Sequence, residues 1–114
     1  MKKQSAASKG RRLQNIIRSK ILKTFKHLRK SDLRIARIGE TGADVKLSKV
    51  AAKFFPYSVE CKSQQKMKLV YQYYAQAAKH KKNQPFLFIK MNKRPILTII
   101  DANHFFNLVS VEKD

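Results

Sequence analysis

The spacing of apolar residues switches along this chain between a helical period and a strand-like period, and this switch limits the folds that the chain can adopt. Between residues 11 and 30, apolar side chains recur every three or four positions, which predicts an amphipathic helix. The same spacing over residues 65–80 predicts a second helix. The two apolar stripes consist of Leu13, Ile17, Ile21, Phe25 and Leu28, and of Met67, Val70, Tyr71, Tyr74, Ala75 and Ala78.

Short apolar or alternating runs predict the strands. Residues 33–38 alternate apolar and basic side chains, which is typical of a short strand or an extended loop. Residues 43–47 and 57–62 are predicted strands, and the apolar runs 86–91 and 96–100 predict a hairpin. The continuous apolar character of the hairpin indicates that both of its faces are covered.

The remaining segments complete the order α-β-β-α-β-β-α. Ser48 is placed to cap a short helical turn, and Asp101 is placed to cap a last helix that runs through Leu108. Residues 1–10 are polar and basic, which predicts a flexible basic arm. Residues 11–114 then form a single domain, since this length supports one modest core.

The charge balance predicts a polyanionic partner. The chain has 26 Lys and Arg residues against seven Asp and Glu residues, a formal net charge of +19 at pH 7. Nucleic acid is the commonest partner of such a chain, although passive binders share this composition. The single cysteine, Cys61, rules out an intramolecular disulfide and fits a reducing cytosol. We expect a cytoplasmic protein without a membrane span, because no apolar run approaches the roughly 20 residues that a spanning helix needs.

The rare carboxylates mark a candidate site. Glu60 and Lys62 lie two positions apart on a predicted strand, so their side chains point to the same face. Asp44, on the preceding predicted strand, is placed to join them. Two carboxylates offer hard oxygen ligands suited to Mg²⁺, and a neighbouring lysine can orient a water or neutralise a phosphate. The pattern predicts metal-assisted cleavage of a phosphodiester. The competing interpretation is an ordinary Glu–Lys pair on a surface strand.

Two short motifs resemble the core of the PD-(D/E)xK nuclease superfamily. They are Gly42-Ala43-Asp44 and the run Phe55-Pro56-Tyr57-Ser58-Val59-Glu60-Cys61-Lys62. More narrowly, roughly residues 9–108 resemble the small Holliday junction resolvases of archaeal type, including phage-encoded ones. The resemblance implies a small mixed sheet flanked by helices, the restriction-endonuclease-like core. It also implies a homodimer that nicks four-way DNA junctions with Mg²⁺, for which Mn²⁺ can substitute, in the host cytoplasm if the protein is phage-encoded.

The resemblance also implies roles for individual residues. Asp44 and Glu60 would bind the metal, with the main-chain carbonyl of Cys61 as a further ligand, and Lys62 would be the catalytic lysine. Thr41 would supply the hydroxyl that these resolvases carry in the loop before the Asp.

The chain departs from the resolvase pattern on its first helix. These resolvases carry a metal-binding Glu there, but residues 1–31 contain no acid. Gln14 is the candidate replacement, and Glu40 could instead reach the metal from the loop. Gln76, on the helix that follows Lys62, is a further candidate of the site, whereas Gln72 is more simply a solvated amide.

Several basic residues are predicted to contact DNA phosphates, which positions a duplex without reading its sequence. With Thr41, the predicted set is Lys9, Arg11, Arg12, Arg34, Arg37, Lys81 and Lys82. Two alternatives stay open beside the resolvase. One is another nuclease of the superfamily, acting on ends, flaps or mismatches. The other is a non-catalytic basic protein that binds DNA or RNA.

Overall fold

A computed structural model describes residues 5–79 and 83–113 of the chain. The described residues form four α-helices and four short β-strands, with a 3₁₀ turn at Lys30–Asp32. The elements are α1 (Ala6–Thr24), β1 (Leu33–Ile35), β2 (Val45–Leu47), α2 (Lys49–Phe54), α3 (Lys68–Ala78), β3 (Leu87–Ile89), β4 (Leu97–Ile99) and α4 (Ala102–Lys113). The chain divides into two compact units. Of the described residues, the first unit contains 5–64 and 110–113, and the second contains the rest, from Gln65 to Val109.

Helix α1 starts and ends earlier than predicted. It begins at Ala6 because Ser5 caps it, its hydroxyl accepting from the backbone N–H of Ser8 at 3.1 Å. The part of the predicted arm that follows Ser5 is therefore helical, and residues 1–4 lie outside the described residues. The helix ends at Thr24, so the buried residues Phe25 and Leu28 lie in the segment after the helix and not in the helix itself.

The guanidinium of Arg18 explains where the chain turns back after α1. Its Nε donates to the carbonyl of Leu33 at 2.8 Å, and its Nη2 donates to the carbonyl of Lys30 at 2.6 Å. These bonds hold the segment after the helix against the helix side.

The first unit carries a small antiparallel sheet and most of the buried side chains. β1 pairs with β2, with Leu33 opposite Leu47 and Ile35 opposite Val45. Buried side chains come from α1, the turn after it, both strands and α2. They are Ile21, Phe25, Leu28, Leu33, Val45, Ala51 and Phe55.

Asp32 ties the 3₁₀ turn to the start of α2. One carboxylate oxygen accepts from the hydroxyl of Ser48 at 2.7 Å, and the other accepts from the backbone N–H of Arg29 at 2.7 Å. The Arg29 N–H is the main reason that the pKa of Asp32 is lowered, with Ser48 second. Ser48 also caps α2, as predicted, by accepting from the N–H of Ala51 at 3.1 Å.

The predicted strand over residues 57–62 is not formed; this segment has only an isolated antiparallel β-bridge, between Val59 and Val45. The backbone N–H of Cys61 explains the loss, because it donates to the side chain of Asp44 and not to a strand neighbour. Pro56 has no N–H to offer at the start of the run.

The second unit contains α3, a hairpin and α4 as far as Val109. β3 pairs antiparallel with β4, so the predicted hairpin forms, with Lys93 at a positive φ of 62° in its connection. Asp101 caps α4 as predicted, since its carboxylate accepts from the N–H of His104 at 3.0 Å. The predicted cover over both hairpin faces is not found in the described part of the chain: the side chain of Phe88 is 65% exposed and that of Leu97 is 57% exposed.

The structure is thus a mixed α and β protein. Its hydrogen-bonded ladders, over the described residues, form two separate two-stranded antiparallel sheets. The single mixed sheet that the resemblance implies is not formed there, since the 57–62 segment pairs only at Val59. Within those same residues, no helix is both long and apolar enough to cross a membrane.

Candidate active site

Asp44 lies just before β2 and forms three hydrogen bonds, one with Ala36 and two with the 59–61 segment. Its backbone N–H donates to the carbonyl of Val59 at 2.8 Å, and its own carbonyl accepts from the N–H of Ala36 at 2.9 Å. Its carboxylate Oδ2 accepts from the N–H of Cys61 at 2.7 Å. These bonds place the Asp44 carboxylate against the residue that lies between Glu60 and Lys62.

Glu60 and Lys62 lie side by side beyond that contact. The Nζ of Lys62 is 3.8 Å from Oε1 of Glu60, as a spacing of two in an extended segment predicts. Both side chains are open to solvent, 63% exposed for Glu60 and 64% for Lys62. An exposed pair of this kind adds little to stability. Both groups are therefore free to meet an incoming ligand.

The thiol of Cys61 is influenced by both carboxylates. This half-buried thiol has a raised pKa, chiefly because of burial and then because of the negative charges of Asp44 and Glu60. A raised pKa favours the protonated thiol, which is a poorer nucleophile than the thiolate. The backbone N–H of Cys61 holds the carboxylate of Asp44.

A cavity of about 310 Å³ joins Asp44 to the first helix. α1 contributes Gly10, Arg11 and Gln14 to its lining, and the 36–40 segment contributes the opposite side. The structure thus brings Gln14, the predicted replacement for the missing helix-1 carboxylate, to the same cavity as Asp44. Glu40, the alternative candidate, lines this cavity as well.

The carboxylate of Glu40 is already occupied. Its two oxygens accept from the guanidinium of Arg34 at 2.8 and 2.9 Å, and Oε1 also accepts from the N–H of Arg37 at 2.8 Å. The hydrogen bonds from Arg34 and then from Arg37 lower the pKa of Glu40 to about 2. Recruiting Glu40 to a metal would break this fork. Gln14 is therefore the better placed of the two candidates.

Lys46 completes the loop that carries Glu40, and the sequence analysis gave it no role. Its Nζ donates to the carbonyl of Thr41 and lies 4.0 Å from Oε2 of Glu40. A Cβ at Gly42, where φ is +93°, would lie 2.6 Å from that Nζ, so the loop closes over the lysine. The signal available in the sequence was the spacing of two between Asp44 and Lys46, which puts both on one face of the strand.

The predicted DNA-contacting residues differ in their availability. Arg11, Arg12 and Arg37 are exposed, whereas Lys9 is half-buried. The guanidinium of Arg34 is held by Glu40. Thr41 is exposed, and Lys81 and Lys82 lie outside the described residues. Gln72 and Gln76 are exposed on α3, in the second unit, and the role of Gln76 stays a prediction.

Asp44 and Glu60 are the carboxylates that the candidate site could offer to Mg²⁺. Among residues 5–79 and 83–113, no cluster of three or more His, Cys, Asp and Glu side chains could hold a metal ion. Mg²⁺ commonly uses one or two carboxylates and completes its shell with waters and substrate phosphates. Asp44 has one carboxylate oxygen outside the Cys61 hydrogen bond, and the side chain of Glu60 is exposed, so each could contribute an oxygen ligand.

Comparison of the chain with protein-family models, curated proteins and solved structures finds no match.

Proposed function

We propose that this protein is a Mg²⁺-dependent endonuclease that nicks branched DNA, with four-way junctions as its substrate. The observation that carries the proposal is the 2.7 Å hydrogen bond from the backbone N–H of Cys61 to the carboxylate of Asp44. It links two sequence motifs, 17 residues apart, that the proposed chemistry requires at one point. The restriction-endonuclease-like core is part of this proposal, because the strands observed in the described residues form only two-stranded sheets.

Each residue of the site has a defined part in the proposal. Asp44 and Glu60 would hold Mg²⁺, with the main-chain carbonyl of Cys61 as a further ligand. When bound, Mg²⁺ would supply activation of water and compensation for the negative charge on the phosphoryl oxygens. The ammonium group of Lys62, 3.8 Å from Glu60, would orient the attacking water or stabilise the phosphate. Gln14 would support the Asp44 side of the site across the cavity that both residues line.

The charge of the chain supports a nucleic-acid substrate. A net charge of +19 favours binding to a polyanion through phosphate contacts that do not depend on base sequence. Recognition would come from the geometry of the branch, because shape can be read without base contacts.

Symmetric nicking requires two matched sites, which a two-fold homodimer supplies. The second unit offers apolar surface for such a contact: Phe88, Met91 and Ile96 are 65%, 67% and 64% exposed. Leu108, on α4, is 50% exposed, whereas Phe106 is buried and has little surface to offer. We propose that the hairpin side of the second unit forms the dimer contact.

A non-catalytic DNA- or RNA-binding protein is the second candidate. The neutral Gln14, in place of a carboxylate, is the observation that favours it, since it leaves the candidate metal site with two carboxylates. The charge of the chain serves this function equally well.

Cleavage of a labelled four-way junction and of a linear duplex of the same sequence, each with Mg²⁺ or with EDTA, tests the proposal. The endonuclease proposal expects symmetric nicks in the junction with Mg²⁺ and none with EDTA. Equal binding of both DNAs without cleavage in either condition would favour the passive binder. Mg²⁺-dependent cutting of the duplex at the same rate would indicate a nuclease of another specificity.

A further inference from the structure

The cavity beside Asp44 combines free positive charge with a neutral amide. Arg11, from α1, and Arg37, from the 36–40 segment, both line it, and both are exposed. Within residues 5–79 and 83–113, neither guanidinium forms a hydrogen bond or an ion pair, whereas the guanidinium of Arg34 nearby donates to both carboxylate oxygens of Glu40. Gln14 lies one helical turn beyond Arg11, on the same face of α1.

The charges around the cavity do not favour a second cation. Glu40 is compensated by the fork from Arg34, which leaves Asp44 as the uncompensated negative group. Arg11 and Arg37 together outweigh that single charge. The cavity wall made by α1 is therefore suited to an anion, and the amide of Gln14 can donate to it, which a carboxylate cannot do.

The size of the cavity agrees with this. A water molecule takes about 30 Å³ of liquid volume. A cavity of about 310 Å³ therefore has room for a phosphate group together with several waters. Gly10 leaves the wall open, because a Cβ at that position would meet nothing within 4 Å.

We infer that this cavity is a subsite for one backbone phosphate of the DNA, held between Arg11 and Arg37 with the amide of Gln14 as a further donor. The inference rests on the proposed function for the identity of the ligand. It assigns the neutral Gln14 to phosphate binding. The site would then bind a backbone phosphate at the place where the resolvases have a metal-binding carboxylate on the first helix.

Binding to a four-way junction in EDTA tests the subsite without cleavage. The variants are Arg11→Gln, Arg37→Gln and the double variant. Lys53→Gln, on the exposed side of α2 and outside the cavity, is the matched control because it removes the same charge. For the double variant, we expect roughly tenfold weaker binding at low salt. The slope of log K against log salt should fall by about 0.9 for the phosphate contact that is lost. If Lys53→Gln weakens binding as much per charge as the double variant, the cavity has no special role and the inference fails.

A series of junctions with one neutral methylphosphonate each, stepped along the cut strand, locates the contact. In the wild type, one position should weaken binding by more than its neighbours, and in the double variant that excess should disappear. Identical profiles for the two proteins would overturn the inference.

Gln14 provides an independent test that leaves both arginines in place. Gln14→Glu should weaken junction binding in EDTA by more than Gln14→Ala, because it places a negative charge beside the phosphate. Unchanged binding by Gln14→Glu would contradict the subsite. A protein that shows the positional effect but never cuts DNA would keep the subsite and lose the proposed catalysis. Mg²⁺-dependent cutting with identical methylphosphonate profiles for the wild type and the double variant would support the proposed catalysis and contradict the subsite.

Discussion

The two units of this protein differ in how they use their apolar residues. In the first unit, apolar side chains from α1, β1, β2 and α2 are buried, with Ile21 and Val45 fully inaccessible. In the second unit, the described residues include only two buried apolar side chains, Phe106 and Val109, and the hairpin leaves Phe88 65% exposed.

The polar contacts of the site follow the same division. Asp44 and the loop before it are fixed by bonds to Cys61, Ala36 and Arg34–Glu40, all within the first unit. The difference indicates that the candidate site lies in the better packed of the two units. The second unit presents surface, which fits the role in subunit contact that we propose for it.

The largest expected difference between the two units is in how much the free energy of unfolding changes when an apolar side chain is truncated. Ile21→Ala should lower the free energy of unfolding by about 2–5 kcal/mol, because it leaves a cavity in a fully buried position. Ile96→Ala, at a position 64% exposed, should change it by less than about 0.5 kcal/mol in a monomer. Urea denaturation at several protein concentrations measures both. A larger loss for Ile96→Ala that grows with protein concentration would place Ile96 in a subunit contact; equal losses in a monomer would contradict the comparison.

Arg18 tests whether polar bonds also hold the first unit together. Arg18→Gln removes the charged donors to the carbonyls of Leu33 and Lys30 and should lower stability by about 1–3 kcal/mol. Arg12→Gln, on the same helix with an exposed side chain, is the matched control and should have little effect. Thermal unfolding of both variants checks the prediction, and similar melting temperatures would contradict it.

The smallest expected effect concerns the loop beside Asp44 and depends on pH. The folded pKa of Glu40 is about 2, below its ordinary value of 4.5, because Arg34 and the Arg37 N–H stabilise the ionised form. Its contribution to stability is therefore full above pH 4.5 and is lost as the pH falls toward 2. Glu40→Gln should be less stable than the wild type at neutral pH, with a difference that shrinks below pH 4.5. Urea titrations across this range measure it.

Arg34→Gln removes the other partner of this pair and should show the same pH window. A stability difference that stays constant down to pH 2 in either variant would assign the effect to something other than the Glu40 carboxylate.

Local sequence patterns predicted most element types but not the sheet. Ser48 and Asp101 cap helices as their chemistry predicts, and the hairpin forms between the predicted runs. The 57–62 strand was overestimated because periodicity does not show that the Cys61 N–H would bond to a side chain. The polar, basic character of residues 1–10 predicts an arm and so places the start of α1 too late, although Ser5 offers a cap.

The candidate site was predictable in its residues and less so in their surroundings. A spacing of two put Glu60 beside Lys62, and the scarcity of acids pointed to Asp44. The fork between Arg34 and Glu40 could not be predicted, since it depends on how the loop between them folds back. The same tertiary fold places Gln14, Arg11 and Arg37 around one cavity.

The most direct test of the account is the single-turnover rate of junction cleavage by Asp44→Asn and Glu60→Gln with saturating Mg²⁺. Asn keeps an oxygen that can accept from the Cys61 N–H, so the fold of the site should survive while the negative charge is lost. We expect each variant to cut roughly a hundredfold more slowly or worse, with junction binding in EDTA retained. Cleavage near the wild-type rate by both variants would contradict the assignment of Asp44 and Glu60 as the catalytic site.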